Sequence, residues 1–398
     1  MPAVNPQVLV WARESAGLDL GAAARKLSVK GSKSATAEEN LREYEEGGRQ
    51  PSRSLILRMS KQYRRPLLTF YLSEPPRAGD RGEDFRTLAH DIDPAQNAMV
   101  DALVRGVRAR QEIVKDALLS AQEGDQIAFV ASYPMEGGVE RLVALIKQEI
   151  GFDPGHYRDA RTQEDAFRYL RACVESAGVF TLLLGNLGSH HSNIGVDEFR
   201  GFALADQVAP FIVINDQDAK AAWSMTLLHE LAHLWLGETG VSGRSIERQV
   251  ERFCNEVASE ILLPESELVE SISFSALAEW EATIQEIDDA ASRFMVSSRL
   301  VAFRLLQRDA IDGGTYSRLA TYFQNRYETF RSEEKSRARK SDNGPSYYVV
   351  RRHRLGSALL NASERLLRSG ELSTTRAATV LGVRALNVEK VLQARRPV

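Results

Sequence analysis

Two histidines and a glutamate stand together in Leu227-Leu228-His229-Glu230-Leu231-Ala232-His233-Leu234-Trp235, an apolar run without proline or glycine. On a helix, residues four apart share a face, so His229 and His233 can offer two imidazoles to one divalent ion. Glu230 lies about 100° around the helix from His229, near enough to hold a water without ligating the ion itself. A hydrolytic zinc site takes three protein ligands and leaves a fourth position to water, so a third ligand is expected downstream. Glu247 to Pro264 reads as a second helix, stopped by Pro264, with Val250, Phe253, Cys254, Val257, Ala258, Ile261 and Leu262 as its buried stripe. Glu251 and Asn255, four apart, flank that stripe. A carboxylate at Glu251 would complete a His-His-Glu set, Asn255 would orient a ligand, and Gly237, Gly240 and Gly243 would let the chain turn back between the helices. Imidazole and carboxylate ligands suit Zn²⁺ and also tolerate Mn²⁺.

The second helix carries a resemblance. Glu251-x-x-Cys254-Asn255-x-Val257-Ala258-x-x-Ile261-Leu262-Leu263-Pro264 resembles the E-x-x-A-N-x-F-A-x-x-L-L-M-P element of the ImmA/IrrE metallopeptidases, gluzincin-like enzymes that cleave transcriptional repressors. Residues Gly201 to Asp206 and Pro210 to Asn215 resemble what precedes that family's metal helix. Cys254, Val257 and Leu263 depart from the pattern, and none is a proposed ligand. The resemblance implies a zincin-like endopeptidase in which His229, His233 and Glu251 hold the metal and Glu230 is the general base. It also implies a protein substrate, a repressor or an antitoxin.

The elements around this site divide the chain. Residues 5–76 form a compact helical unit. Its segment Tyr44-Glu45-x-Gly47-x-x-x-Pro51 resembles the W-E-x-G-x-x-x-P ending of the third helix in the XRE (Cro/repressor-type) helix-turn-helix family. That resemblance implies DNA binding, with Lys26, Lys30, Lys33, Arg42 and Arg49 as the candidate phosphate contacts. The implied recognition helix, Thr36 to Glu46, is itself acidic, with Glu38, Glu39, Glu43, Glu45 and Glu46 against Arg42. Carboxylates repel a phosphate backbone, so a protein-docking role for the same unit stays open. A DNA-binding regulator or antitoxin with an idle or gated peptidase fold is therefore the rival to the enzyme.

Residues 77–138 read as a linker followed by one long amphipathic helix, Pro94 to Ala121, suited to packing or a homodimer. The peptidase core spans 139–275. It holds helices near 139–146 and 166–175, and three strands at 178–184, 201–206 and 210–215. The turn at 206–209 joins the last two strands. Phe202 to Ala205 is the candidate edge for pairing with an extended peptide. Residues 276–330 form a second helix-turn-helix pattern in which Ser297 caps its second helix. Residues 331–345 read as a solvated tether, and 346–398 as helical, with one helix from Arg354 to Ser369 and a solvated basic face of Arg351, Arg352, Arg354, Arg365 and Arg368. His190 and His191 fall in a loop, while His90, His156 and His353 are expected at the surface.

The expected class is therefore α+β, mostly α, with a small mixed sheet. The chain of 398 residues is 43% hydrophobic and 26% charged, as in soluble globular proteins, and is too long for one core. A net charge of −3 gives no global attraction to nucleic acid or to a membrane. Two cysteines far apart, no basic-then-apolar leader and no membrane-length apolar run point to a cytoplasmic protein with reduced thiols and no membrane partner.

Overall fold

A computed structural model describes residues 3–32, 34–76, 94–189, 192–237, 244–339 and 346–394. Lys33, His90, His190, His191, Gly240 and Gly243 lie outside those residues. The chain divides into two compact units, one of residues 1–107 with 186–199, the other of 108–185 with 200–398.

The first unit packs four helices: α1 (Pro6–Glu14), α2 (Leu20–Lys26), α3 (Ala37–Glu45) and α4 (Arg53–Gln62). Each starts where a short polar side chain satisfies a free amide: Asn5, Asp19, Thr36 and Ser52. Thr36 and Glu39 form a reciprocal capping box. Leu9, Ala12, Ala23, Leu27, Leu41, Met59 and Phe70 make the core. At Gly21, an added Cβ would lie 2.6 Å from Glu38 Oε1, so α2 and α3 approach closely where the sequence is small. Glu45 does not join the acidic surface expected of α3. It follows the buried Leu41 by four residues, so it turns inward, where Arg13 Nε donates to it at 2.8 Å.

Helix α5 (Pro94–Ser120) runs from the first unit into the second. The second unit continues with α6 (Val139–Glu149), α7 (Pro154–Arg158), α8 (Gln163–Ser176) and strand β1 (Phe180–Leu183). Then come β2 (Gly201–Leu204), β3 (Phe211–Ile214), α9 (Lys220–Leu236), α10 (Arg244–Leu262) and α11 (Glu265–Ser271). It ends with α12 (Trp280–Arg293), α13 (Ser298–Gln307), α14 (Gly313–Arg339), α15 (Tyr347–Leu355), α16 (Ser357–Ser369), α17 (Thr374–Leu381) and α18 (Val388–Gln393). The protein is thus mostly helical with one three-stranded mixed sheet, ordered β1-β3-β2. β1 runs parallel to β3 in the register Phe180 to Phe211, and β2 runs antiparallel to it with Gly201 opposite Ile214.

The second half of α5 fastens the β2–β3 connection. Gln111 Nε2 donates to the carbonyls of Leu204 and Ala209 at 3.0 and 2.8 Å, and Lys115 pairs with Asp206 at 2.6 Å. Asp206 also accepts from the amides of Val208 and Ala209, closing the turn. Ser297 caps α13, and α12 and α13 contribute Ile287, Ala291, Val301 and Leu305 to the same core as α9 and α10.

Several expectations for the C-terminal third need correction. Helix α14 continues through Arg339, into the stretch read as a tether. Residues 331–339 lack an apolar stripe but also lack glycine and proline, so a helix nucleated upstream propagates through them at little cost. The single helix expected from Arg354 to Ser369 is two, broken at Gly356, whose φ is +80°. The basic side chains there form a solvated face only in part: Arg365 and Arg368 are exposed as expected, whereas Arg351, Arg352 and Arg354 turn inward. Arg351 is buried, Arg352 is half-buried and donates to the carbonyl of Val391 at 2.9 Å, and Arg354, Arg365 and Arg368 pair with Asp216, Glu123 and Glu364. His353, expected at the surface, is half-buried with Nε2 3.6 Å from Glu164, while His156 is exposed. Among the described residues, no helix is long and apolar enough to cross a membrane.

Candidate metal centre

Helix α9 is apolar on nearly every side, because it packs on α8, α10, β2 and β3 together. Leu227, Leu228, Leu231, Ala232 and Leu234 are fully buried. It stops at Gly237, whose φ of +64° is the left-handed C-terminal turn that glycine favours. A side chain at Gly237 would collide with Ala131, since its Cβ would fall 2.1 Å from that residue's Cβ. The close approach satisfies the helix end. Ala131 N donates to the Leu234 carbonyl at 2.9 Å, and the amides of Ser132 and Tyr133 donate to the Trp235 carbonyl at 3.0 Å. The Phe129 ring stacks on Trp235 with centroids 5.1 Å apart.

This rigid helix and α10 together hold the polar cluster. His229 Nε2 and His233 Nε2 are 3.1 Å apart. Glu251 Oε2 is 3.3 Å from the first and Glu251 Oε1 is 3.3 Å from the second. Donor atoms about 2.0–2.1 Å from a tetrahedral ion are spaced by roughly 3.3 Å, so the three side chains have the spacing that one divalent metal ion requires. The imidazole side chains are 14% and 18% exposed and the carboxylate is 44% exposed, so the cluster opens to solvent. Among the described residues it is the one group of three or more metal-ligating side chains that converge in this way. His229 Nδ1 is buried and has no hydrogen-bond partner among the described residues.

The electrostatics separate the two glutamates. Burial pushes the Glu251 carboxyl up, but hydrogen bonds from His229 and His233 outweigh it and hold the group well below the usual carboxylate range. Glu230 is 7% exposed, and burial pushes it up to about 7 despite the attraction of His233, with the Glu251 charge adding to the rise. One carboxylate is thus kept charged against the imidazoles, and its neighbour is kept poised to exchange a proton near neutrality.

Asn255 is half-buried one turn after Glu251, and no hydrogen bond of its side chain is made among the described residues. Lys26, Lys30, Arg42 and Arg49 are exposed on the first unit, Arg49 over the Tyr44 ring at 5.4 Å. Glu38, Glu39, Glu43 and Glu46 are exposed on the same unit. Cys173 and Cys254 form no disulfide among the described residues.

Sequence reasoning missed Gly201 and Thr226. A Cβ at Gly201 would lie 2.6 Å from Thr226 Cγ2 and 2.9 Å from Glu230 Oε1, so the first residue of β2 must be glycine for the strand to pass over Glu230. The signal was there, a glycine opening an apolar strand, but the sequence did not say which side chain needed the room.

No curated protein and no solved structure matches the chain. Residues 191–306, which include β2, β3, α9, α10 and all four residues His229, Glu230, His233 and Glu251, match the family model Peptidase_M78, the IrrE N-terminal-like domain.

Proposed function

We propose that this chain is a metal-dependent endopeptidase of the ImmA/IrrE type that cuts a repressor or antitoxin protein. The observation that carries the proposal is the convergence of His229, His233 and Glu251 beside a buried Glu230. His229, His233 and Glu251 would hold Zn²⁺, with Mn²⁺ as the alternative. A divalent ion bound there supplies a Lewis acid that acidifies a water and polarises the scissile carbonyl. Glu230 takes the water's proton at its carboxylate and returns it to the leaving amine. The wall that β2 forms over Glu230 keeps bulk water from that carboxylate. Strand β2 is an edge of the sheet, so its outer main-chain groups are the ones proposed to pair with an extended substrate, whatever most of its side chains are.

The test is co-expression of the full chain with the products of neighbouring genes, followed by measurement of bound metal. Glu230→Gln is expected to abolish cleavage and retain the metal, and Glu251→Ala to lose the metal. Full cleavage by the Glu230→Gln protein would overturn the mechanism.

The exposed cations Lys26, Lys30, Arg42 and Arg49 favour a second reading for the first unit, an XRE-type helix-turn-helix that grips DNA phosphates. Sequence-specific retardation of upstream DNA, lost on Arg42→Ala, supports that reading. Retention of the DNA shift by a variant lacking all four cations refutes it.

A further inference from the structure

Far from the metal ligands in sequence, two guanidinium groups meet without a carboxylate. Arg351 of α15 is 7% exposed, and its Nε donates to the Leu381 carbonyl at 2.8 Å, closing the end of α17. Arg110 of α5 is half-buried, and its Nη1 is out of contact with solvent and has no hydrogen-bond partner among the described residues. Both groups reach the same point. A Cβ at Gly382 would lie 1.9 Å from Arg351 Nη2 and 3.0 Å from Arg110 Nη2, so the two nitrogens are separated by no more than the sum of those distances.

Like charges this close are tolerable at a wet surface, where water and salt screen them. Here Arg351 is buried, and burial together with the Arg351 charge pushes the Arg110 guanidinium down to about 9. It stays charged at neutral pH. The acids that α5 and α15 do engage are taken by other cations: Asp116 by Arg376 at 2.9 Å, and Asp216 by Arg354 at 2.7 Å. A buried cation is normally paired, and two unpaired ones side by side define a hole in the charge balance. Gly382 is also exposed, and it lines a cavity of about 380 Å³ with Tyr347, Tyr348, Val383, Arg384 and Asn387. Arg384 is a third, exposed cation at that mouth. Glycine is required at Gly382 twice over, for its φ of +61° and for the room the guanidiniums occupy.

We infer that Arg110 and Arg351, gathered at Gly382, which lines the cavity together with Tyr347, Tyr348 and Arg384, form a binding site for a tetrahedral oxyanion of the phosphate class. Planar guanidiniums present forked donors that match phosphate oxygens, and such pairs are bidentate and charge-assisted. A phosphate bound there would tie α5, α15 and the turn after α17 together through one ligand.

The experiment is calorimetric titration of inorganic phosphate, and separately of glycerol 3-phosphate, into the full chain at matched ionic strength in chloride. Saturable binding is expected, weakened at least tenfold in Arg110→Met and Arg110→Gln. Tighter binding of the monoester than of inorganic phosphate would identify an esterified ligand, and the reverse order would identify the free ion. The same variants should melt no lower than the wild type without phosphate, because each removes an unpaired buried charge. The wild type should rise in Tm on phosphate addition by about 2–4 °C, and Arg110→Met should not. Absence of saturable binding, or an unchanged affinity in Arg110→Met, overturns the site.

Discussion

Replacing Glu175 with alanine should unseat the C-terminal helices from the sheet. Glu175 and Arg171 lie one turn apart on α8 and are both buried, with Nε and Oε1 3.1 Å apart. The carboxylate accepts from the amides of Ser357 and Ala358 at 3.0 and 3.1 Å, and from the Ser357 hydroxyl, so it caps the start of α16. The guanidinium donates to the carbonyls of His353 and Arg354 at 2.6 and 3.3 Å, closing the end of α15. It also reaches the Thr181 carbonyl. Phe180 and Leu184 bond toward β3, so in a parallel pair Thr181 points its carbonyl to the outer side of β1. One ion pair therefore caps two helices and covers the outer edge of β1.

The magnitude follows from what Glu175→Ala strands. Breaking a buried ion pair by removing one partner costs about 3–5 kcal/mol, and the lost cap adds about 1 kcal/mol. For a unit of this size that corresponds to a fall of roughly 5–15 °C in Tm. Differential scanning calorimetry of the full chain measures it, and trypsin should cut α15 and α16 first. Arg171→Met alone should cost as much, and the double variant Arg171→Met/Glu175→Leu should lose less than the two added, by about 1–3 kcal/mol, because neither charge is then left alone. A Glu175→Ala protein that melts within about 2 °C of the wild type would refute the whole account of this clamp.

Gly201→Ala should retain metal yet lose roughly 10- to 100-fold in kcat/KM, since the new methyl displaces Glu230 by a few tenths of an ångström or more. Wild-type turnover would dismiss Gly201 as a positioning residue. Burial raises the Asp206 carboxyl, but the bond from Lys115 and the amides of Ala209 and Val208 outweigh it and hold the group below its usual value. Its stabilisation is therefore complete above an unfolded value of about 3.9 and is lost as pH falls through the lower folded value. Asp206→Asn should flatten that part of the Tm-against-pH curve below about pH 4, and an unaltered curve would count against it. The Tyr63 hydroxyl is buried without a partner among the described residues, so Tyr63→Phe should hold or raise stability by about 1 kcal/mol, whereas a loss above that would reveal a hidden partner.

The parts of this molecule that were legible in its sequence are those whose spacing is local. His229 and His233 declare themselves by a separation of four on an apolar helix, and Ser297 and Thr36 declare helix starts. The strands could be read because glycine, proline and aspartate bound short runs of branched residues. What stayed hidden is pairing over long separations. Arg171 looks like any helical arginine until the carbonyls of His353 and Arg354 arrive beside it, and Glu45 looks like surface acid until Arg13 does. In each case a charged side chain on a helix gives no local sign of burial, because solvent is where charge is cheapest. The structure spends it on closing a helix end or a sheet edge.

That pattern bears on how the candidate site is kept rigid. Helix α9 is clamped at its C-terminal end by main-chain donors of residues 131–133, and its companion α10 is tied to α13 by the ion pair of Glu260 with Arg304. Neither tie uses His229, His233 or Glu251, so these side chains face one another rather than hold the fold together. Three polar side chains that packing does not need, brought within 4.8 Å by two helices that packing fully determines, are hard to explain as stability and easy to explain as chemistry. If that is right, His229→Ala should leave the metal-free melting temperature within about 2 °C of the wild type, while abolishing the rise in Tm that Zn²⁺ gives. A metal-free variant that melts far below the wild type would mean that the cluster is structural, and the case for a hydrolase would lose its main support.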